Sequence, residues 1–93
     1  MTRVIYQPRL PALEMRGHAG AGIRGRDPVC AALSILLFTL LEGTPGAQVT
    51  LSDGYSRVKG GDRQSYALIA KGVRLLAENY PEFVRMEVKD DGK

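Results

Sequence analysis

The sequence predicts a small α+β domain in the order β-β-α-β-β-α-β, with a mixed or antiparallel sheet and two helices, residues 1–93 forming one unit. Three observations predict it. Leu13, Met15 and Gly17 alternate with Glu14, Arg16 and His18, the period of two expected of a half-buried strand. Asp27–Pro28 and Asp62 stand where helix N-caps belong, each ahead of a run with helical spacing. Asp53–Gly54, between two short runs, is a strong hairpin signal.

In chain order, Arg3 to Gln7 and Ala12 to His18 are expected as strands, separated by a Pro8–Pro11 turn that neither strand could contain. His18 falls on the polar face of the second strand. A glycine-rich segment from Ala19 to Arg26 follows. The first helix is capped by Asp27, takes Pro28 at its first position and stops near Glu42, before Gly43 and the Thr-Pro-Gly after it. It is apolar almost all the way round, so it needs cover on more than one side, from a sheet and from another helix or a partner subunit. Gln48 to Leu51 and Tyr55 to Lys59 make the hairpin. The second helix runs to about Asn79, with Tyr66, Ile69, Val73, Leu76 and Tyr80 as its core row and Lys71, Arg74 and Glu78 outside it. Gly72 within it costs about 1 kcal/mol against Ala, which a close helix crossing would explain. Phe83 to Val88 close the domain as a last strand.

Composition sets bounds. With 93 residues, 44% hydrophobic and 25% charged, the chain has the make-up of one globular domain. One cysteine allows no internal disulfide and no paired-cysteine metal site, and no metal or cofactor is expected. A lone thiol without a signal-like apolar run fits the cytoplasm. Val29 to Leu41, the longest apolar stretch, is shorter than the roughly 20 residues that span a bilayer, so no membrane role is expected. The net charge of +3 is modest, and its densest grouping, Arg16, Arg24 and Arg26, could touch phosphate or only keep a loop solvated.

The stretch RGHAGAGIRGRDPVC, Arg16 to Cys30, holds the one histidine, the one cysteine and a literal G-x-G-x-x-G at Gly20, Gly22 and Gly25. A dinucleotide loop should follow an apolar parallel strand and carry its third glycine inside the helix. Here the strand is polar on one face, the helix starts after Gly25, and a hairpin follows. Nucleotide binding is therefore disfavoured. The alternative is a nucleophile with its base. Cys30 lies in the first helical turn, where free N–H groups and the helix dipole favour the thiolate. The Val29 and Cys30 N–H groups are candidate oxyanion donors, and His18 is close enough upstream to serve as base. A small buried cysteine and an exposed strand-end histidine remain an equal alternative from the residues alone.

Gly17-His18-Ala19, then Gly25-x-Asp27-x-Val29-Cys30-Ala31-Ala32-x-Ser34, resembles the "GHA…G-x-D-I-V-C-A-A-x-S" signature of the ribosomal-processing cysteine proteases called Prp. Gly72 and NYPEFVRMEV at Asn79 to Val88 extend the resemblance over nearly the whole chain. Pro28 stands where that family usually has Ile, and the glycine-rich loop lacks the aromatic residue often found after GHA. The resemblance implies a small, usually homodimeric domain with a Cys–His dyad, removing the N-terminal extension of the precursor of large-subunit ribosomal protein number twenty-seven. Carried over by motif position, it implies Cys30 as nucleophile and His18 as general base. Asp27 falls on a motif position as orienter of the histidine or as helix cap. Ser34 does so as a site-lining residue or one bonded back to the helix. The Gly20, Gly22 and Gly25 loop is expected to be slack between the two and to close over a peptide. A phage-type capsid or scaffold protease and a non-catalytic ribosome- or RNA-associated module are the competing functions.

Overall fold

The computed structural model describes residues 1–22 and 26–90. Its elements are β1 (Thr2–Gln7), β2 (Ala12–Arg16), α1 (Pro28–Gly43), β3 (Gln48–Ser52), β4 (Tyr55–Lys59), α2 (Arg63–Asn79) and β5 (Val84–Val88). The five strands form one mixed sheet in the order β3-β4-β2-β1-β5, antiparallel except for the β1–β5 pair. The expected element order is thus present.

Alternation sorts the sheet into two faces. Val4 pairs with Met15 and Leu13 with Val58, and all four are buried on one face. That face meets Val29, Leu33, Leu37 and Leu40 of α1 and Tyr66, Ile69 and Val73 of α2 in a single core. The opposite face carries charge pairs, Arg3 to Glu87 at 2.6 Å and Arg16 to Glu14 at 2.7 Å. No helix among the described residues is long and apolar enough to cross a membrane.

Both caps form as their residue types require. Asp27 accepts from the Val29 and Cys30 N–H groups and Asp62 from those of Gln64 and Ser65. The expected close crossing at Gly72 is present: a Cβ there would lie 2.7 Å from a Leu36 methyl, which would have to move aside to admit it. Two expectations need correction. Strand β2 ends at Arg16, not His18, because Gly17 adopts φ +87, and a Cβ there would lie 2.6 Å from the Met1 carbonyl oxygen. His18 therefore sits just past the strand. Tyr80 is outside the core row: it is the C-cap of α2, where the chain turns away and leaves its ring exposed.

Candidate active site

The functional geometry begins at the end of β2. Its antiparallel register with β4 pairs Arg16 with Tyr55, and two further residues in that register put Gly17 across from Gly54 and His18 across from Asp53. The Gly17 N–H donates to the Gly54 carbonyl at 2.7 Å, so the pairing continues past the strand proper. The imidazole lies on the turn: a Cβ built on Gly54 would be 3.3 Å from His18 Nε2, and Asp53 Oδ1 is 3.5 Å from the same nitrogen.

Cys30 arrives from the other side, on the first turn of α1. Gly17, His18, Cys30, Leu33, Ser34 and Gly54 line one cleft of about 180 Å³, whose floor is continued by the apolar Met15 and Leu37. The structure thus brings together His18, Cys30 and Ser34. Ser34 is one turn beyond Cys30 on the cleft side, while the back-bond to the helix is made by Thr39, whose hydroxyl donates to the Ile35 carbonyl at 2.7 Å. A larger cavity of about 510 Å³, lined by Tyr6, Ala70, Lys71, Arg74 and Met86, lies between α2 and the β1–β5 edge. It contains neither thiol nor imidazole, so size does not mark the site.

Asp27 caps and does not touch the histidine. Its Oδ1 accepts from Val29 N–H at 2.9 Å and Cys30 N–H at 3.0 Å, and its Oδ2 accepts from Ala21 N–H at 2.9 Å. The Cys30 N–H above all, followed after the opposing effect of burial by the Ala21 N–H, a hydrogen bond from the Cys30 thiol and the Val29 N–H, holds this carboxyl below the usual range. This corrects the expectation that the Val29 and Cys30 N–H groups serve as oxyanion donors. The Val29 and Cys30 N–H groups are already used by Asp27 and are not open to an oxyanion, and a carboxylate already answers the positive end of the helix. The donor that does reach the sulfur is the Ala19 N–H, at 3.3 Å from Sγ.

The glycine loop is shaped rather than slack at its described end. Gly20 has φ +75, a left-handed value that glycine adopts without cost. A Cβ on Gly22 would lie 3.1 Å from the Arg26 carbonyl oxygen, a tight contact that a side chain could meet only if the backbone gave by a few tenths of an ångström. Gly25 and Arg24 lie outside the described residues. Arg16 is engaged by Glu14 at 2.7 Å and lies over the Tyr55 ring at 5.6 Å, so it is not a spare phosphate contact. Burial raises the Glu14 carboxyl, but the Tyr55 hydroxyl and Arg16 outweigh it and hold it below its ordinary value. Among the described residues no three His, Cys, Asp or Glu side chains are grouped to hold a metal.

Sequence reasoning missed Asp53 and the Ala19 N–H. Asp53–Gly54 was legible only as a turn, and its place beside His18 follows once β2 and β4 are paired in register.

The family model of cysteine protease Prp matches residues 1–85. The chain belongs to that family. It is accordingly a cysteine protease, and the resemblance read from the motif is confirmed at the level of the family. Among solved structures, the S. aureus ribosomal processing protease Prp with a covalently linked product peptide is 21% identical, with a TM-score of 0.81, over 95% of this chain and 97% of that one. The same protease with a substrate peptide is 22% identical, with a TM-score of 0.76, over 96% and 100% of the two chains. The Streptococcus mutans protein SMU.848 is 30% identical, with a TM-score of 0.69, over 97% of this chain and 93% of that one. No curated protein matches by sequence.

Proposed function

We propose that the chain is an endopeptidase that removes the N-terminal extension from the precursor of large-subunit ribosomal protein number twenty-seven, with Cys30 as nucleophile and His18 as general base. The observation that carries this reading is the cleft itself. The one thiol and the one imidazole of the chain line the same 180 Å³ space, with a backbone N–H donating to the sulfur. The S. aureus structures with substrate and product peptides support a peptide as the ligand class.

The chemistry is acyl transfer. His18 takes the Cys30 proton, and the thiolate, steadied by the Ala19 N–H, adds to the scissile carbonyl carbon. A C–S bond forms, and the carbonyl π pair becomes an oxyanion. Collapse of this intermediate breaks the C–N bond, and the imidazolium protonates the leaving amine. His18 then deprotonates a water that adds to the thioester. Expulsion of the sulfur releases a carboxylic acid and restores the thiol. The apolar cleft floor of Met15, Leu33 and Leu37 favours apolar substrate side chains beside the scissile bond.

A homodimer is part of the same reading. Helix α1 exposes Ile35 at 65% and Phe38 at 51% on the side that neither the sheet nor α2 covers, an apolar surface of the kind a second copy would bury.

The test is cleavage of a peptide spanning the extension by the wild type and by Cys30→Ala and His18→Ala, with folding followed by circular dichroism. Both variants are expected to fold and to be inactive. Retention of cleavage in Cys30→Ala overturns the assignment. An RNA-binding module would instead bind with steep salt dependence and be indifferent to Cys30→Ala.

A further inference from the structure

We propose that Asp53 is the positioning residue for His18: from the β3–β4 turn it holds Nε2 of the imidazole, so that Nδ1 carries the lone pair that takes the Cys30 proton. This rests on the dyad reading above and extends it.

Three contacts place the imidazole, and all come from one turn. The register of β2 with β4, which ends at Arg16 and Tyr55, is followed by the 2.7 Å Gly17 to Gly54 hydrogen bond, and this brings His18 beside the Asp53–Gly54 turn. The ring edge at Nε2 rests on Gly54, where a Cβ would stand only 3.3 Å from it. The Asp53 carboxylate is 3.5 Å from the same nitrogen. A histidine past the end of a strand has two free side-chain torsions. The Gly17 to Gly54 hydrogen bond ties the preceding residue to the turn, and a carboxylate at one ring nitrogen sets the ring's rotation and tautomer. Asp27 does not hold this place: its carboxylate accepts from the Ala21, Val29 and Cys30 N–H groups and makes no contact with His18 among the described residues.

The distance of 3.5 Å is an ion-pair contact, longer than a good hydrogen bond. Such contacts at unliganded sites tighten when substrate arrives. The side chains of His18 and Asp53 are 59% and 66% exposed. A peptide lying across the turn would remove water from both and strengthen their attraction as the imidazole gains its proton. Asp53 therefore acts on the turnover step more than on binding.

The experiment compares the full-length wild type with Asp53→Asn, Asp53→Ala and His18→Ala. Asn-Gly is at least as good a hairpin turn as Asp-Gly, so Asp53→Asn removes the charge and keeps the fold. Two readouts are taken: kcat and KM on the extension peptide, and the rate of Cys30 alkylation by iodoacetamide, which needs no substrate. Asp53→Ala is expected to lower kcat roughly tenfold with KM changed less than about twofold, and Asp53→Asn, which keeps an acceptor at Oδ1, to fall between it and the wild type. Alkylation is expected to slow in the same order, with His18→Ala slowest. Added salt is expected to lower wild-type kcat and leave that of Asp53→Asn unchanged, since only the former has a charge pair to screen. If His18→Ala loses activity while both Asp53 variants match the wild type in kcat and alkylation, the positioning role is overturned and the dyad stands. If His18→Ala also matches the wild type, both are overturned.

Discussion

Gly54→Ala separates catalysis from stability when set beside Gly46→Ala. Both glycines have left-handed backbones, φ +71 at Gly54 and +85 at Gly46. An alanine there costs about 1–2 kcal/mol, reduced by the roughly 0.4–1 kcal/mol through which it restricts the unfolded chain. A net loss near 1 kcal/mol lowers Tm by about 4–8 °C in a domain of this size. The surroundings differ. A Cβ on Gly46 meets nothing within 4 Å, whereas one on Gly54 meets His18 Nε2 at 3.3 Å and Cδ2 at 3.7 Å. The imidazole, lying free on its solvent side, would retreat by a few tenths of an ångström. A displacement of about 1 Å costs on the order of 100-fold, so kcat should fall roughly three- to tenfold in Gly54→Ala. Gly46→Ala should lose the same stability and keep its kcat. The assay is peptide cleavage per folded molecule, with folding measured by urea titration. Equal kcat in the two variants would refute the placement of His18 on the turn.

Acid should destabilise the wild type partly through Asp27. Its folded-state value lies below the ordinary 3.8, so the stability it contributes is present above pH 3.8 and drains away as pH falls below that toward the lowered value. Asp27→Asn should be less stable near neutrality and show a flatter acid limb. Urea midpoints measured from pH 6 to 2.5 check this, and parallel curves would contradict it. On the proposal that the uncovered side of α1 pairs two copies, the wild type should sediment as a dimer and Ile35→Glu as a monomer, with Tm within a few degrees; a monomeric wild type, or a variant of unchanged mass, would contradict that proposal.

Much of the fold was legible because local chemistry dictated it. Asp27–Pro28 and Asp62 start helices wherever they are placed, and Asp53–Gly54 can hardly be anything but a tight turn. Gly72 announced a close approach, and Leu36 supplied it. The errors arose where tertiary context decides. The alternation through His18 continues in sequence, but Gly17 turns out of the strand at φ +87, in a place where a Cβ would meet the Met1 carbonyl oxygen, and nothing local says so. In α2 the periodic row reaches Tyr80 by spacing, yet the helix runs out at Asn79. At the site, residue types and motif identified Cys30 and His18. Two partners stayed hidden. A backbone N–H at Ala19 has no signature in sequence, and Asp53 lies 35 positions from His18, brought near only by strand pairing. Asp27 showed the converse: its position suggested two roles, and the geometry of three N–H groups left one.

The most direct test is the intact mass of the precursor of large-subunit ribosomal protein number twenty-seven after incubation with the wild type, Cys30→Ala or His18→Ala. Loss of the N-terminal extension with the wild type alone, the two fragments together weighing the precursor plus one water, is the predicted result. Cleavage that persists in Cys30→Ala, or a precursor left whole by the wild type, would contradict it.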